Sequence, residues 1–176
     1  MSLLTRLTIS IGLIAGLVTW AFVGPLSALN VQVWAIFIAW ASYYHSGGTT
    51  KALQTNIPCH IFGALVGWVA LILITIYSQQ LGIAAIAGIS VFLGAVVIVQ
   101  FSKFSLLSNI PSAFYGFATI AGYSFLAGKL DSLYATSPLE NPLSVTIISL
   151  FFGAFIGWLS ESFAIALGRE HQQQTT

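Results

Sequence analysis

Glu161 is the acidic residue placed most conspicuously for chemistry. It lies inside the apolar run Leu143–Leu167, eight residues before Arg169. On a helix that separation is about 12 Å. Ionisable side chains at such depth face a bundle interior or a wet cavity. Gly153, Gly157, Ser160, Glu161 and Ala164 recur at helical spacing and form one small, polar stripe. Phe151, Phe155 and Phe163 fall elsewhere on that helix, where lipid or other helices would meet them. Two roles fit Glu161. It is a solute- or proton-binding carboxylate, or it is a structural one, paired with Arg6, Lys51 or Lys103 or hydrated near the interface.

A second stripe combines Ser112, Tyr115, Gly116, Thr119, Gly122 and Tyr123. It would line a solute path or supply routine hydrogen bonds between helices. His60 shares a small helix face with Gly63 and Ala64. It could switch with pH near neutrality, but a satisfied structural donor is the plainer reading. Gln54, Asn56, Gln100 and Asn109 fall at one level and are expected to form a polar cytoplasmic vestibule with His60; for each alone, capping or interface solvation would suffice. Cys59 and His60 diverge by about 100° on a helix and make a poor chelating pair. His45 and His171 could join them only through tertiary structure. No metal-ligand spacing is present, and Gly47-Gly48-Thr49-Thr50-Lys51 is not a phosphate loop. The chain has no Ser/His/Asp set and no paired intramembrane carboxylate, so neither an enzyme nor a cofactor is expected.

The elements that position these residues follow from composition. Of 176 residues, 57% are hydrophobic and 5% are charged. A soluble domain carries about 25% charged residues, so the surface of this chain belongs in a lipid bilayer. A nucleic-acid partner would need a basic patch that is missing here. One cysteine excludes a disulfide framework within the chain.

An apolar helix of about 20 residues spans the bilayer core. Six such stretches are predicted, near Leu7–Val23, Val31–Tyr44, Pro58–Tyr77, Leu81–Phe101, Pro111–Ala127 and Leu143–Leu167. The first lacks the features of a cleavable signal peptide. With six spans, Arg6, Lys51, Lys103 and Arg169 share one side and Lys129 lies on the other. The excess of Lys and Arg places both termini in the cytoplasm. The organisation expected is all-α: a single six-helix transmembrane domain over 1–168 and a polar cytoplasmic tail over 169–176, fraying after Gly168. Trp20, Trp34, Tyr43 and Tyr44 read as interfacial anchors, and Trp40, Trp68 and Trp158 as residues packed between helices. The loop Lys129–Pro142 is expected to be irregular and external, with Asp131 and Glu140 facing solvent.

Two patterns recur. Asn56-Ile57-Pro58 matches Asn109-Ile110-Pro111, and both read as helix starts, with Asn capping and Pro in the first turn. Gly63-Ala64-Leu65-Val66-Gly67-Trp68 matches Gly153-Ala154-Phe155-Ile156-Gly157-Trp158, with Gly12, Gly16 and Trp20 as a looser third copy. Small residues four apart let membrane helices approach closely. The second pattern relates spans three and six, which run oppositely, as in a three-plus-three inverted repeat. The first relates spans of the same orientation.

The string from Tyr43 to Lys51 resembles a stretch of one bacterial family. So does Gln100-Phe101-Ser102-Lys103 followed by Pro111, Phe114, Gly116, Ala118, Ala121 and Gly122. The similarity is to domain of unknown function 1097, the YcdZ-like inner-membrane proteins, over most of the chain. It implies a small multi-span protein of the bacterial inner membrane and brings no activity or functional residues. Cys59 and His60 are not expected as markers of that family.

These readings converge on a small-solute channel or transporter, with Glu161 as the proton- or solute-binding group and a small neutral or cationic cargo. The alternatives are a structural or accessory subunit of another membrane protein and, less directly, a membrane sensor using His60 or Glu161. A homo-oligomer fits the surplus of glycine faces.

Overall fold

The computed structural model describes the backbone of residues 2–173 and the side chains of residues 2–168. Six helices build this part of the chain: α1 (Leu3–Val23), α2 (Val33–His45), α3 (Thr49–Leu81), α4 (Ile83–Phe101), α5 (Ile110–Leu126) and α6 (Pro142–Gln173). Short 3-10 turns lie at Ser27–Leu29, Ser105–Leu107 and Leu130–Ser132, and no strand occurs among the described residues. Helix α6 continues past Gly168 as far as Gln173. Residues 174–176 of the expected tail, and the side chains of Arg169 and His171, lie outside the described residues.

Four helices are long and apolar enough to cross a membrane: α1, α3, α4 and α6. Helices α2 and α5 have 13 and 17 residues. They rise only about 20 and 25 Å, short of a hydrocarbon core of about 30 Å. Six helices occupy the six expected stretches, and four of them, among the described residues, have the length and apolarity of a span.

The two Asn-Ile-Pro copies behave differently. Helix α5 begins as read: Asn109 is its N-cap, its side chain accepts from the Ser112 N–H, and Pro111 stands in the first turn. Helix α3 begins instead at Thr49, and Pro58 lies inside it. Nothing between Lys51 and Thr55 breaks a helix, so the start moves back to Gly48, whose φ of 68° ends the preceding turn. Pro58 has no N–H to give the carbonyl one turn earlier. That turn, at Gln54, is exposed, so the loss is tolerated there. Asn56 is thereby released from capping.

Helix α3 packs most extensively on α5, and α6 on α2. Both seams are made by the glycine pattern. A Cβ on Gly63 would lie 1.7 Å from the Ala113 carbonyl oxygen, and one on Gly116 2.1 Å from that of His60. A Cβ on Gly153 would lie 2.2 Å from the Ile36 carbonyl oxygen, and one on Gly157 2.9 Å from the Tyr43 ring. Backbones touch where the side chain is missing, which is how helices associate without a hydrophobic drive. The third copy behaves otherwise: a methyl added to Gly12 or Gly16 would meet no atom within 4 Å, so this pair forms no seam here.

The core divides accordingly. Ile36, Trp40 and Ile156 join side chains of α1, α2 and α6. Cys59, Ile98 and Ala113 join α3, α4 and α5. The Lys129–Pro142 connection is less irregular than expected. Leu133 is fully buried against Leu71 and Ile120, and its carbonyl accepts from Trp68 Nε1 at 2.9 Å. Asp131 and Glu140 are exposed on it.

Candidate functional site

The basic residues Arg6, Lys51 and Lys103 mark one end of the bundle, where the α2–α3 turn, the start of α5 and the last third of α6 meet. A cleft of about 450 Å³ opens there, lined by Ser46, Gly48, Thr49, Lys51, Thr55 and Asn109 among others. Its floor is a polar cluster drawn from α2, α3 and α5. Asn109 Nδ2 donates to Ser46 Oγ and to Asn56 Oδ1, each at 2.8 Å. Ser46 and Ser112 hydroxyls also donate to Asn56 Oδ1, at 3.0 and 3.1 Å. Ser112 is linked to Ser42 at 2.9 Å, and Ser42 to His60 Nε2 at 3.1 Å. Asn56, His60, Ser42 and Ser112 are all buried.

Of the residues expected at this level, Asn56 and Asn109 are brought into direct contact, and His60 is joined to them through Ser112 and Ser42. Gln54 is exposed beside them and takes no part. Gln100 is elsewhere: it is exposed on α4 and borders an apolar groove with Phe92, Ala95, Val96 and Val99. Residues at one level along the bundle axis need not share a side of it, and axial level was all that spacing could give.

Glu161 lies at this same end, partly buried. Its Oε2 accepts from the Thr49 backbone N–H at 2.9 Å and from the Tyr43 hydroxyl. Its partners are thus a helix N-terminus and a phenol rather than Arg6, Lys51 or Lys103. The first N–H groups of a helix lack intrahelical acceptors and carry partial positive charge, so a carboxylate from α6 caps α3 in trans. The φ of 68° at Gly48 favours glycine there, and a Cβ would come within 2.7 Å of Glu161 Oε1, so the carboxylate would have to shift.

Ser160, the neighbour of Glu161, is saturated. Its hydroxyl donates to the Gly157 carbonyl at 2.7 Å and accepts from Trp40 Nε1 at 3.0 Å and from the Tyr44 hydroxyl at 2.8 Å. Its carbonyl accepts from Ser10 of α1. The α5 stripe is divided. Ser112 joins the buried cluster, whereas the Thr119 hydroxyl bonds back to the Tyr115 carbonyl at 2.7 Å. Tyr123 accepts from Asn30 Nδ2 at 3.0 Å near the opposite end, and Tyr115 is partly buried. The polar residues of the two stripes thus meet different neighbours: Ser112 the buried cluster, Ser160 side chains of α1 and α2, and Tyr123 the chain before α2.

Several residues of this site were not singled out by sequence. Tyr43, expected as an interfacial anchor, is fully buried with its hydroxyl on Glu161. Tyr44 is likewise tied to Ser160. Trp20 and Trp34 are exposed, as anchors would be. Ser46 lies in the Tyr43–Lys51 string, which assigns it no role, and the sequence signal for Ser42 is only that a small hydroxyl residue precedes the aromatic pair on the short second helix.

No curated protein and no solved structure matches the chain. The family of proteins of unknown function DUF1097 matches residues 8–165, which is nearly the whole described bundle. Six helices, seamed by two glycine pairs and carrying one buried polar cluster, are thus the architecture of a member of the DUF1097 family, to which this chain belongs.

Proposed function

We propose that this protein is a small-solute channel or transporter of the bacterial inner membrane, without enzymatic activity, built from two inverted three-helix repeats with both termini in the cytoplasm. The observation that carries the reading is the pairing of the short helices α2 and α5 at the second place of each half. Unusually short segments in corresponding positions of two halves point to the solute site in inverted-repeat transporters.

The packing supports the repeat. Gly153, Gly157 and Ser149 each follow Gly63, Gly67 and Cys59 by ninety positions. Gly63 meets the Ala113 carbonyl, and Gly153 meets that of Ile36. The backbone N–H of Gln32, which caps α2, donates to Ser149 Oγ at 2.9 Å, and the thiol of Cys59, at the matching position, donates to the Leu106 carbonyl in the turn before α5 at 3.6 Å. Exchanging the halves maps the α3–α5 seam onto the α6–α2 seam and α3–α4 packing onto α6–α1 packing.

Solute enters from the cytoplasmic cleft and is handled where Ser42 of α2 meets Ser112 of α5. Glu161 then serves as a latch on the mouth, holding α6 to the α2–α3 turn, rather than as a site for cargo. The chain reconstituted in proteoliposomes should pass some member of a panel of urea, glycerol, ammonium and methylammonium faster than empty vesicles do, read by light scattering and an internal pH dye. Flux equal to that of empty vesicles throughout would sink the reading.

A second reading, an accessory subunit or a homo-oligomer, draws on α1, where Gly12 and Gly16 face open space. A stable hetero-complex on mild solubilisation, with no solute flux, favours it.

A further inference from the structure

The buried cluster has a direction, and the direction decides the chemistry at His60. Asn109 Oδ1 accepts from the Ser112 N–H, so Asn109 turns its Nδ2 toward Asn56, which must answer with Oδ1. Ser112 spends its one hydroxyl proton on that oxygen. Ser42, in contact with Ser112, must therefore donate to it and has no proton left for His60. The contact between Ser42 and His60 Nε2 then requires an Nε2–H. In neutral His60 the proton is thus on Nε2, and Nδ1 presents a bare lone pair.

Neither His60 Nδ1 nor Asn56 Nδ2 has a hydrogen-bond partner among the described residues, although the two side chains are 1% and 0% exposed. Buried polar groups are satisfied in native proteins, and leaving one unpaired costs about 1–3 kcal/mol. The two orphans are complementary: one accepts and the other donates. They sit on residues four apart in α3, where Cβ atoms lie about 5–6 Å from each other. As neighbours on one face of the helix, the two side chains can share one small molecule through two ordinary hydrogen bonds.

The geometry points to a binding site, formed by His60 Nδ1 and Asn56 Nδ2, for one small uncharged molecule that both donates and accepts a hydrogen bond, of the class of water and ammonia. Ammonium fails the second contact, since it has no lone pair for Asn56 Nδ2, and an apolar gas satisfies neither. The site lies one turn beneath the cleft floor, and it deepens the transport reading by naming the class of solute that the α2–α3–α5 cluster would select.

The test uses the full chain in lipid nanodiscs with histidine labelled by ¹⁵N in the ring. His45→Asn combined with His171→Asn leaves His60 as the only signal, and His60→Gln confirms the assignment by its loss. The expected spectrum is the Nε2–H tautomer with Nδ1 as a hydrogen-bonded acceptor. Its through-space contact is to an exchangeable water proton, or, after addition of ¹⁵N-labelled ammonia at raised pH, to the labelled nitrogen. The first contact identifies water as the occupant and the second ammonia. A proton on Nδ1, or an Nδ1 lone pair without any donor in either condition, overturns the proposal. Failure here is separable from failure of transport. Vesicles that carry no solute would leave the contact at Nδ1 intact, whereas a proton on Nδ1 removes the site whatever the flux.

Discussion

The carboxylate of Glu161 accepts the backbone N–H of Thr49 at 2.9 Å, joining residues 112 positions apart. One hydrogen bond thereby closes the long α6 onto the first turn of the 33-residue α3. It also fastens the turn whose residues Ser46, Gly48 and Thr49 line the cleft at the basic end.

This latch predicts a graded series. Glu161→Gln keeps an oxygen for the Thr49 N–H and loses only the charge at the helix N-terminus, an effect of about 0.3–1 kcal/mol. Glu161→Ala removes the cap altogether and should cost about 1–2 kcal/mol. Gly48→Ala should be worse than Glu161→Gln, because it combines a φ of 68° with a Cβ in the carboxylate's place. Denaturant titration of the detergent-solubilised protein reads the order. Equal stability for Glu161→Ala and the parent chain would exclude the latch.

The two glycine seams should tolerate nothing, and the third glycine pair should tolerate alanine. Gly63→Ala and Gly153→Ala place a methyl within 1.7 and 2.2 Å of a backbone oxygen. The helices must separate, at an expected cost of about 3 kcal/mol or more, as in other severe overpacking. Gly12→Ala and Gly16→Ala meet no atom in the monomer and should gain up to about 1 kcal/mol of helix propensity. Thermal unfolding of the four variants gives the comparison. A loss in the Gly12 and Gly16 variants would instead reveal a partner on α1.

Asn56 should matter more than Asn109. Its Oδ1 receives three donors, from Ser46, Asn109 and Ser112, and Asn56→Ala removes the acceptor that all three share. The expected loss is about 2–4 kcal/mol, against about 1–2 kcal/mol for Asn109→Ala, which mainly loses a cap. A double-mutant cycle should show coupling of about 1 kcal/mol between the two. Additive effects would mean that the hydrogen bond between them contributes nothing.

Sidedness is open to direct labelling. On a background of Cys59→Ser, Lys51→Cys and Lys103→Cys should react with an impermeant maleimide only after cells are permeabilised. Asp131→Cys, exposed on the opposite connection, should react in intact cells. The reverse pattern would invert the orientation that the Lys and Arg bias implies.

Much of this architecture is dictated locally. Fifty-seven per cent hydrophobic residues and the scarcity of charge require burial in lipid, and uninterrupted apolar runs require helices, because only internally bonded backbone survives there. The Gly-x-x-x-Gly spacing at residues 63–67 and 153–157 determines where two helices can touch, and the capping of α5 by Asn109 is legible in three consecutive residues. Asn56 carries a near copy of that cap, but the helix runs on through Pro58, because α3 starts earlier, at Gly48, where a carboxylate from the other end of the chain accepts its first N–H. Local pattern could not tell that Gln100 faces outward while Asn56 faces inward, since composition and axial level are the same for both. Nor could it reveal that Tyr43, Ser42 and Ser46 complete the site. Those assignments depend on which faces of α2, α3, α5 and α6 are pressed together. That is a property of packing among segments distant in sequence, and only the assembled bundle expresses it.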